Sequence, residues 1–198
     1  MSTEAGDHVS DRFMATVRRA CATSQGRAEL SQGLNIVIQS LEHPESDAEA
    51  SRWNMYSHLV PNGGIPGKTT KGELPYLLIA ALYARHDAPN PKMPPKGNGD
   101  GPHYETWQSL GWSYNQAVSR RAMTSKAAEA ALSRICGLDQ NLMMQELPHC
   151  ISELRSHGVP VVWECLLRDI LLWPNYADTV RRNWAKGFHY FNKKENAS

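Results

Sequence analysis

Apolar residues recur every three or four positions along most of the chain, which is the spacing of amphipathic helices. The clearest example lies near the C-terminus, where Val180, Trp184 and Phe188 follow one another at intervals of four. The alternation of apolar and polar residues that is typical of strands is absent. The pattern therefore predicts an all-α protein. Its helices are predicted at residues 11–21, 27–41, 48–60, 75–84, 108–120, 125–136, 140–156, 160–173 and 177–191.

One segment interrupts this helical pattern. Residues 86–104 contain five prolines and three glycines, a composition that neither continues a helix nor fills a strand. It divides the chain into a predicted N-terminal helical bundle (1–88), a linker or loop (89–104) and a C-terminal helical bundle (105–198). The fold class is therefore two small helical bundles joined through a Pro/Gly-rich segment.

Composition narrows the class of protein. The 198 residues carry a formal net charge of +1, so global basicity does not indicate a nucleic-acid binder, although one basic face remains compatible with this balance. The four cysteines, at 21, 136, 150 and 165, form no CxxC or zinc-type spacing and are expected to be reduced thiols. No signal peptide or membrane-length apolar run is evident, which predicts a cytoplasmic protein.

A glycine-rich stretch comes close to a phosphate-binding loop. Residues 62–69 differ from the Walker A pattern at Asn62, which stands where the first glycine belongs. Such a loop also needs a strand before it, whereas the preceding segment has a helical pattern. We expect a flexible loop, with Lys68 and Lys71 available to phosphate groups, although a nucleotide-dependent enzyme remains a remote alternative.

Catalytic and metal-binding patterns are weak. Asp169 follows Arg168 inside a helical pattern, and we expect a structural ion pair or cap there. His149 and His157 are eight residues apart with no evident third ligand, so no metal site is predicted. We predict no cofactor and no enzymatic activity.

Several segments resemble a known family. Residues 163–173 contain Trp, then Leu-Leu-Arg-Asp-Ile, then Trp; residues 180–188 contain Val-Arg, then Trp-Ala-Lys, then Phe. Residues 77–86 and 109–111 (Ser-Leu-Gly) also fit, and 27–34 fits more weakly. Together these segments resemble the small subunit of the type I-E CRISPR Cascade complex, the CasB family, over most of residues 24–191.

The resemblance implies a non-catalytic subunit of an RNA-guided surveillance complex. The implied partners are the backbone and large subunits of Cascade, a second copy of the chain, the guide RNA, and target DNA with its displaced single strand. The implied task is to stabilise the R-loop, because guide pairing and duplex reannealing are nearly balanced in free energy. The alternative is a helical protein–protein scaffold with little direct nucleic-acid binding, since family members often carry arginines where this chain has Ser31, Gln32 and Ala130 or Ala131.

Basic residues cluster in two regions of the C-terminal half, at 120–134 and 168–194. On their own such clusters are typical of solvated helix surfaces. With the resemblance, some are expected to contact phosphates without reading sequence. The candidate nucleic-acid-binding residues are Arg27, Lys68, Lys71, Arg120, Arg121, Lys126, Arg134, Arg168, Arg181, Arg182 and Lys186.

Overall fold

The computed structural model describes residues 3–43, 49–67, 69–86 and 108–195. In these ranges every regular element is helical and there is no strand, which confirms the predicted all-α class. A 3₁₀ turn, Val60–Asn62, follows the third helix. The α-helices are α1 (Thr3–Ala20), α2 (Ser24–Glu42), α3 (Glu49–Leu59), α4 (Thr70–Arg85), α5 (Leu110–Ser119), α6 (Ser125–Cys136), α7 (Gln140–Ser156) and α8 (Trp163–Glu195).

The packing divides the chain into two compact units, Met1–Asp87 and Ala88–Ser198. We call them the N-terminal and the C-terminal unit. Helices α1–α4 pack among themselves, and helices α5–α8 do likewise. The predicted linker, 89–104, lies outside the described residues. No helix in the described ranges is both long enough and apolar enough to cross a membrane.

Helix α4 is the buried centre of the N-terminal unit. Its segment 74–82 is buried on every side, as a run of apolar residues without a polar face predicts. The helix begins at Thr70, five residues before the predicted start, because the Thr69 hydroxyl accepts a hydrogen bond from the Gly72 amide at 3.1 Å and caps it. Pro75 therefore lies inside the helix and does not open it.

Helices α5 and α8 pack closely against each other in the C-terminal unit. Ser109 caps α5, and its hydroxyl accepts from the Trp112 amide at 3.4 Å. Gly111 lies against the backbone of Trp184, where a Cβ atom would meet the carbonyl carbon at 2.6 Å. One turn later, the buried Asn115 side-chain amide donates to the Phe188 carbonyl at 2.7 Å. The Ser-Leu-Gly motif is thus a cap followed by a close helix crossing.

The C-terminal signature forms two helical stretches as predicted, but the first begins later and the break lies slightly further along. Two helices separated by a stop at Pro174 were predicted, the first beginning at Pro160. The segment before Trp163 is instead non-helical and buried, and the Ser113 hydroxyl donates to the Pro160 carbonyl at 2.8 Å. The helix then continues past Pro174 and breaks two residues later at Tyr176 (φ −136°, ψ 30°), where two helical stretches meet in a kink as predicted.

A hydrogen bond from another helix accompanies this continuation. Proline has no amide hydrogen, so Pro174 leaves the carbonyl of Ile170 without its usual helical donor. The Gln140 side-chain amide donates to that carbonyl at 3.2 Å. The lost bond is replaced across the interface between α7 and α8, so the first helical stretch extends past the proline as far as the kink. Pro148 lies within α7 and does not end it.

Candidate nucleic-acid interface

The predicted nucleic-acid-binding residues fall into three groups. Arg27 and Lys71 are exposed in the N-terminal unit, and Lys68 lies outside the described residues. Three residues of the C-terminal unit, Arg134, Arg168 and Arg181, are held by contacts within that unit. Five others of that unit are exposed: Arg120, Arg121, Lys126, Arg182 and Lys186.

Arg181 is built into the packing of α8. Its Nη2 donates to the Leu138 carbonyl at 3.1 Å, and its Nη1 is 3.1 Å from the Asp178 carboxylate. Its guanidinium carbon lies 5.3 Å from the centre of the Trp173 ring, within cation–π distance. These contacts link the α6–α7 connection to α8. The main role of Arg181 is therefore to stabilise the fold.

Arg168 and Asp169 belong to a buried cluster. The Asp169 carboxylate accepts a 2.6 Å hydrogen bond from the Trp184 indole, and its other oxygen is 3.8 Å from the Arg168 guanidinium. The Trp184 ring packs against Trp173 with centroids 5.2 Å apart. This arrangement agrees with the structural role expected for Asp169, because its carboxylate is buried and satisfied by a tryptophan donor.

Arg134 pairs with an acid that sequence reasoning missed. Its Nη2 lies 2.7 Å from the Glu146 carboxylate on α7. The pair joins residues twelve positions apart on different helices, so the helical spacing of three or four gives no sign of it. Glu146 offsets the positive charge that Arg134 was expected to offer.

The five exposed candidates of the C-terminal unit form two sets. The first, at the turn between α5 and α6, is the turn cluster: Arg120, Arg121 and Lys126. The second, which we call the α8 stripe, consists of Arg182 and Lys186, one helical turn apart and therefore on one face of α8. Neither stripe residue forms an ion pair with another residue of the described ranges. The stripe thus presents two uncompensated positive charges to solvent.

The glycine-rich loop does not have the surroundings of a phosphate-binding loop. Helix α3 and the 3₁₀ turn precede it, where a strand would be required. The Asn62 carbonyl accepts hydrogen bonds from the Thr16 hydroxyl and the Arg19 guanidinium of α1. Gly67 packs against Glu73, the acidic residue of the first turn of α4. The loop therefore contacts both α1 and α4 and links the two helices.

Burial is the main cause of the raised pKa values of several tyrosine and cysteine side chains. Burial raises the pKa of the Tyr114 phenol, and the neighbouring Cys150 and Glu153 raise it further. Burial also raises the pKa of the Cys136 thiol to about 11 and the pKa of Cys21 and Cys150 above its ordinary value. Within the described part of the chain, no three His, Cys, Asp or Glu side chains are placed to hold a metal ion.

The thiols are expected to react slowly in the folded protein. A thiolate is the reactive form, and burial that raises the pKa of Cys21, Cys136 and Cys150 leaves little of it near neutral pH. Labelling with a thiol reagent at pH 7.5 should therefore be slow in buffer and rapid for all four cysteines in denaturant. Rapid labelling of the native chain would contradict the burial of Cys21 and Cys150 and the raised pKa of Cys136.

Comparison with known proteins agrees with this architecture. A chain of a CRISPR RNA-guided surveillance complex is 21% identical with a TM-score of 0.68, over 96% of this chain and 99% of that one. M. ruber CasB is 20% identical with a TM-score of 0.64, over 94% and 97%. A chain of a pre-nicking surveillance complex is 20% identical with a TM-score of 0.67, over 96% and 99%. At these identities the solved structures establish the fold.

The family assignment rests on a separate match. No curated protein matches the chain. The model of the family described as CRISPR-associated protein Cse2 matches residues 13–189, which cover most of each unit. The match spans the Ser-Leu-Gly cap and crossing, the buried Asp169–Trp184 pair and the α8 stripe. The chain therefore belongs to the CRISPR-associated Cse2 family.

Proposed function

We propose that this chain is a non-catalytic small subunit of an RNA-guided CRISPR surveillance complex of the Cascade type. Its partners are the backbone and large subunits, a second copy of itself, the guide RNA and the target DNA. Support comes from membership of the Cse2 family and from similarity, over nearly the whole chain, to chains of surveillance complexes. Such a subunit works in the cytoplasm, where guide and target meet.

Within that complex, the chain stabilises the R-loop by holding the displaced DNA strand. The observation that carries this proposal is the α8 stripe, in which Arg182 and Lys186 are exposed on one helical face without an ion-pair partner in the described ranges. Phosphate contacts by such residues release counterions and bind without sequence preference. Because the exchange of DNA pairing for guide pairing is nearly balanced, a few such contacts suffice to shift it towards the R-loop.

The residues proposed to contact phosphate are divided between the two units. The units are helical bundles joined through the Pro/Gly-rich segment, as proposed from the sequence. The stripe and the turn cluster belong to the C-terminal unit. In the N-terminal unit, Arg27 and Lys71 are the described candidates for phosphate contact, and Lys68 remains a candidate by sequence alone.

The alternative is a scaffold subunit that binds protein partners and leaves nucleic acid to others. A specific observation favours it: Arg134, Arg168 and Arg181 are all engaged inside the C-terminal unit. The chain therefore presents fewer free cations than its sequence suggests. A measurement on the assembled complex separates the two candidates.

Neutralising the α8 stripe should weaken target binding by the assembled complex. The variant Arg182→Gln/Lys186→Gln removes two exposed cations, and the slope of log affinity against log salt concentration should flatten by roughly 0.7–0.9 for each lost contact. Target-DNA affinity is measured at several salt concentrations with complexes assembled from wild-type or variant chain. Guide-RNA loading, measured on the same samples, should stay unchanged.

The matched control is Arg134→Gln, which removes one positive charge already offset by Glu146. Its target affinity and salt slope should match those of the wild-type complex. If the stripe variant also matches wild type at every salt concentration, the R-loop role is wrong and the scaffold function stands.

A further inference from the structure

The turn between α5 and α6 holds an arginine in a backbone conformation that favours glycine. The φ of Arg121 is +57°, and within the described ranges it is the one residue other than glycine with a positive φ. The Arg121 amide donates to the Val118 carbonyl at 2.8 Å, and the Ala122 amide donates to the Ala117 carbonyl at 2.9 Å. These two bonds define a Schellman motif, whose left-handed position is usually glycine. Any side chain there strains the turn.

Within the described part of the chain, the arginine side chain makes no hydrogen bond or ion pair that would offset the free-energy cost of this strain. Arg121 is exposed and has no ion pair or hydrogen bond from its guanidinium to another described residue. The next cation, Lys126, is also exposed and lies in the first turn of α6, where no acidic residue is present. A cation there is disfavoured by the positive end of the helix dipole. Arg121, through its backbone strain, and Lys126, through the dipole of α6, thus each lower the stability of the folded protein.

The turn itself is held in place. The Arg120 guanidinium donates to the Gly158 carbonyl at 3.1 Å, which joins the turn to the connection between α7 and α8. The Thr124 hydroxyl accepts from the Ala127 amide at 3.2 Å and caps α6. Arg121 therefore sits on a fixed backbone between two bonded neighbours, and only its side chain is left free to bind.

We infer that Arg121 is a nucleic-acid phosphate contact, retained at a position where glycine would make a more stable protein. The inference rests on the proposed function and deepens it by naming a residue of the same interface. Strained backbone that the surrounding structure over-determines is typical of binding sites. A guanidinium is suited to phosphate because it offers several donors in one plane. Lys126, five residues further along the chain, is a second exposed cation of the turn cluster.

Replacing Arg121 with glycine is expected to have two opposite effects, a gain in the stability of the chain and a loss of affinity for target DNA. Arg121→Gly should raise the melting temperature of the purified chain by roughly 2–4 °C, because the left-handed strain is relieved. The same substitution in the assembled complex should lower target-DNA affinity and flatten the salt slope by about 0.9 per copy. Loss of folding cannot explain that weaker binding, since the variant is the more stable protein.

Arg121→Lys is the matched control, because it keeps both the charge and the strain. Its melting temperature and salt slope should remain close to those of wild type. A lower melting temperature for Arg121→Gly would show that the arginine side chain stabilises the fold, and would overturn the inference. An unchanged salt slope for Arg121→Gly would overturn it as well.

The stripe variant distinguishes this failure from failure of the proposed function. If Arg182→Gln/Lys186→Gln weakens binding while Arg121→Gly leaves it unchanged, the inference about Arg121 is wrong and the R-loop role stands. If both variants bind target DNA as wild type does, the R-loop role is wrong, and the inference falls with it.

Discussion

Replacing Gly111 with alanine is expected to destabilise the C-terminal unit by about 3 kcal/mol. A Cβ atom at this position would lie 2.6 Å from the carbonyl carbon of Trp184 and closer still to its oxygen. Both atoms belong to the backbone of α8, so no side-chain rotation relieves the clash. Helices α5 and α8 must separate, which also stretches the hydrogen bond from Asn115 to the Phe188 carbonyl. Urea unfolding of the purified chain measures the loss.

The control for this substitution is Gly137→Ala at the end of α6. Gly137 has an ordinary φ of −78°, and the nearest atom to a Cβ there is the Arg134 carbonyl oxygen at 3.4 Å. An added methyl should change the free energy of unfolding by no more than about 0.5 kcal/mol. Equal unfolding midpoints for the two variants would contradict the close approach of α5 to α8.

Removing the buried carboxylate of Asp169 is the second large effect. Asp169→Ala should cost about 3–4 kcal/mol, because it strands the buried Trp184 indole donor and removes the negative charge beside Arg168. Asp169→Asn keeps an acceptor for the indole and should cost less. Chemical denaturation followed by tryptophan fluorescence suits the measurement, since Trp173 and Trp184 both lie next to the substitution.

Asp178→Ala is the matched control on the same helix. The Asp178 side chain is 90% exposed, against 5% for Asp169, and its ion pair with Arg181 faces water. Exposed pairs of this kind contribute less than about 1 kcal/mol. Comparable losses for the two aspartates would mean that Asp169 is not the buried acceptor described above.

Local sequence pattern predicted the helices well and their ends less well. The apolar run of α4 predicts a buried helix because it leaves no polar face, and the structure agrees. The break between the two stretches of α8 was predicted, but its position at Tyr176, two residues past Pro174, could not be predicted in this way. The extension of the first stretch is accompanied by a hydrogen bond from Gln140, thirty positions away, and no local pattern reveals such a partner.

The same limit applies to the candidate interface. The spacing of four between Arg182 and Lys186 places them on one helical face, and both are exposed. Arg134 and Arg181 look equally available in the sequence, yet their partners Glu146 and the Leu138 carbonyl come from distant positions. Counting basic residues in the sequence therefore overestimates the number of cations that are available to bind nucleic acid. Arg121 is the opposite case, because its positive φ, and the bond of its neighbour Arg120 to the Gly158 carbonyl, become visible only in the structure.

The crossing of α5 and α8 also bears on how the protein is made. Gly111 and Asn115 contact Trp184 and Phe188, so α5 closes against α8. Contacts between residues so far apart in sequence form late, because the intervening chain must first be ordered. During synthesis, α5 leaves the ribosome some seventy residues before its partner. The part of α5 that faces α8 stays uncovered in that interval, although α6 and α7, which also pack against α5, are made earlier.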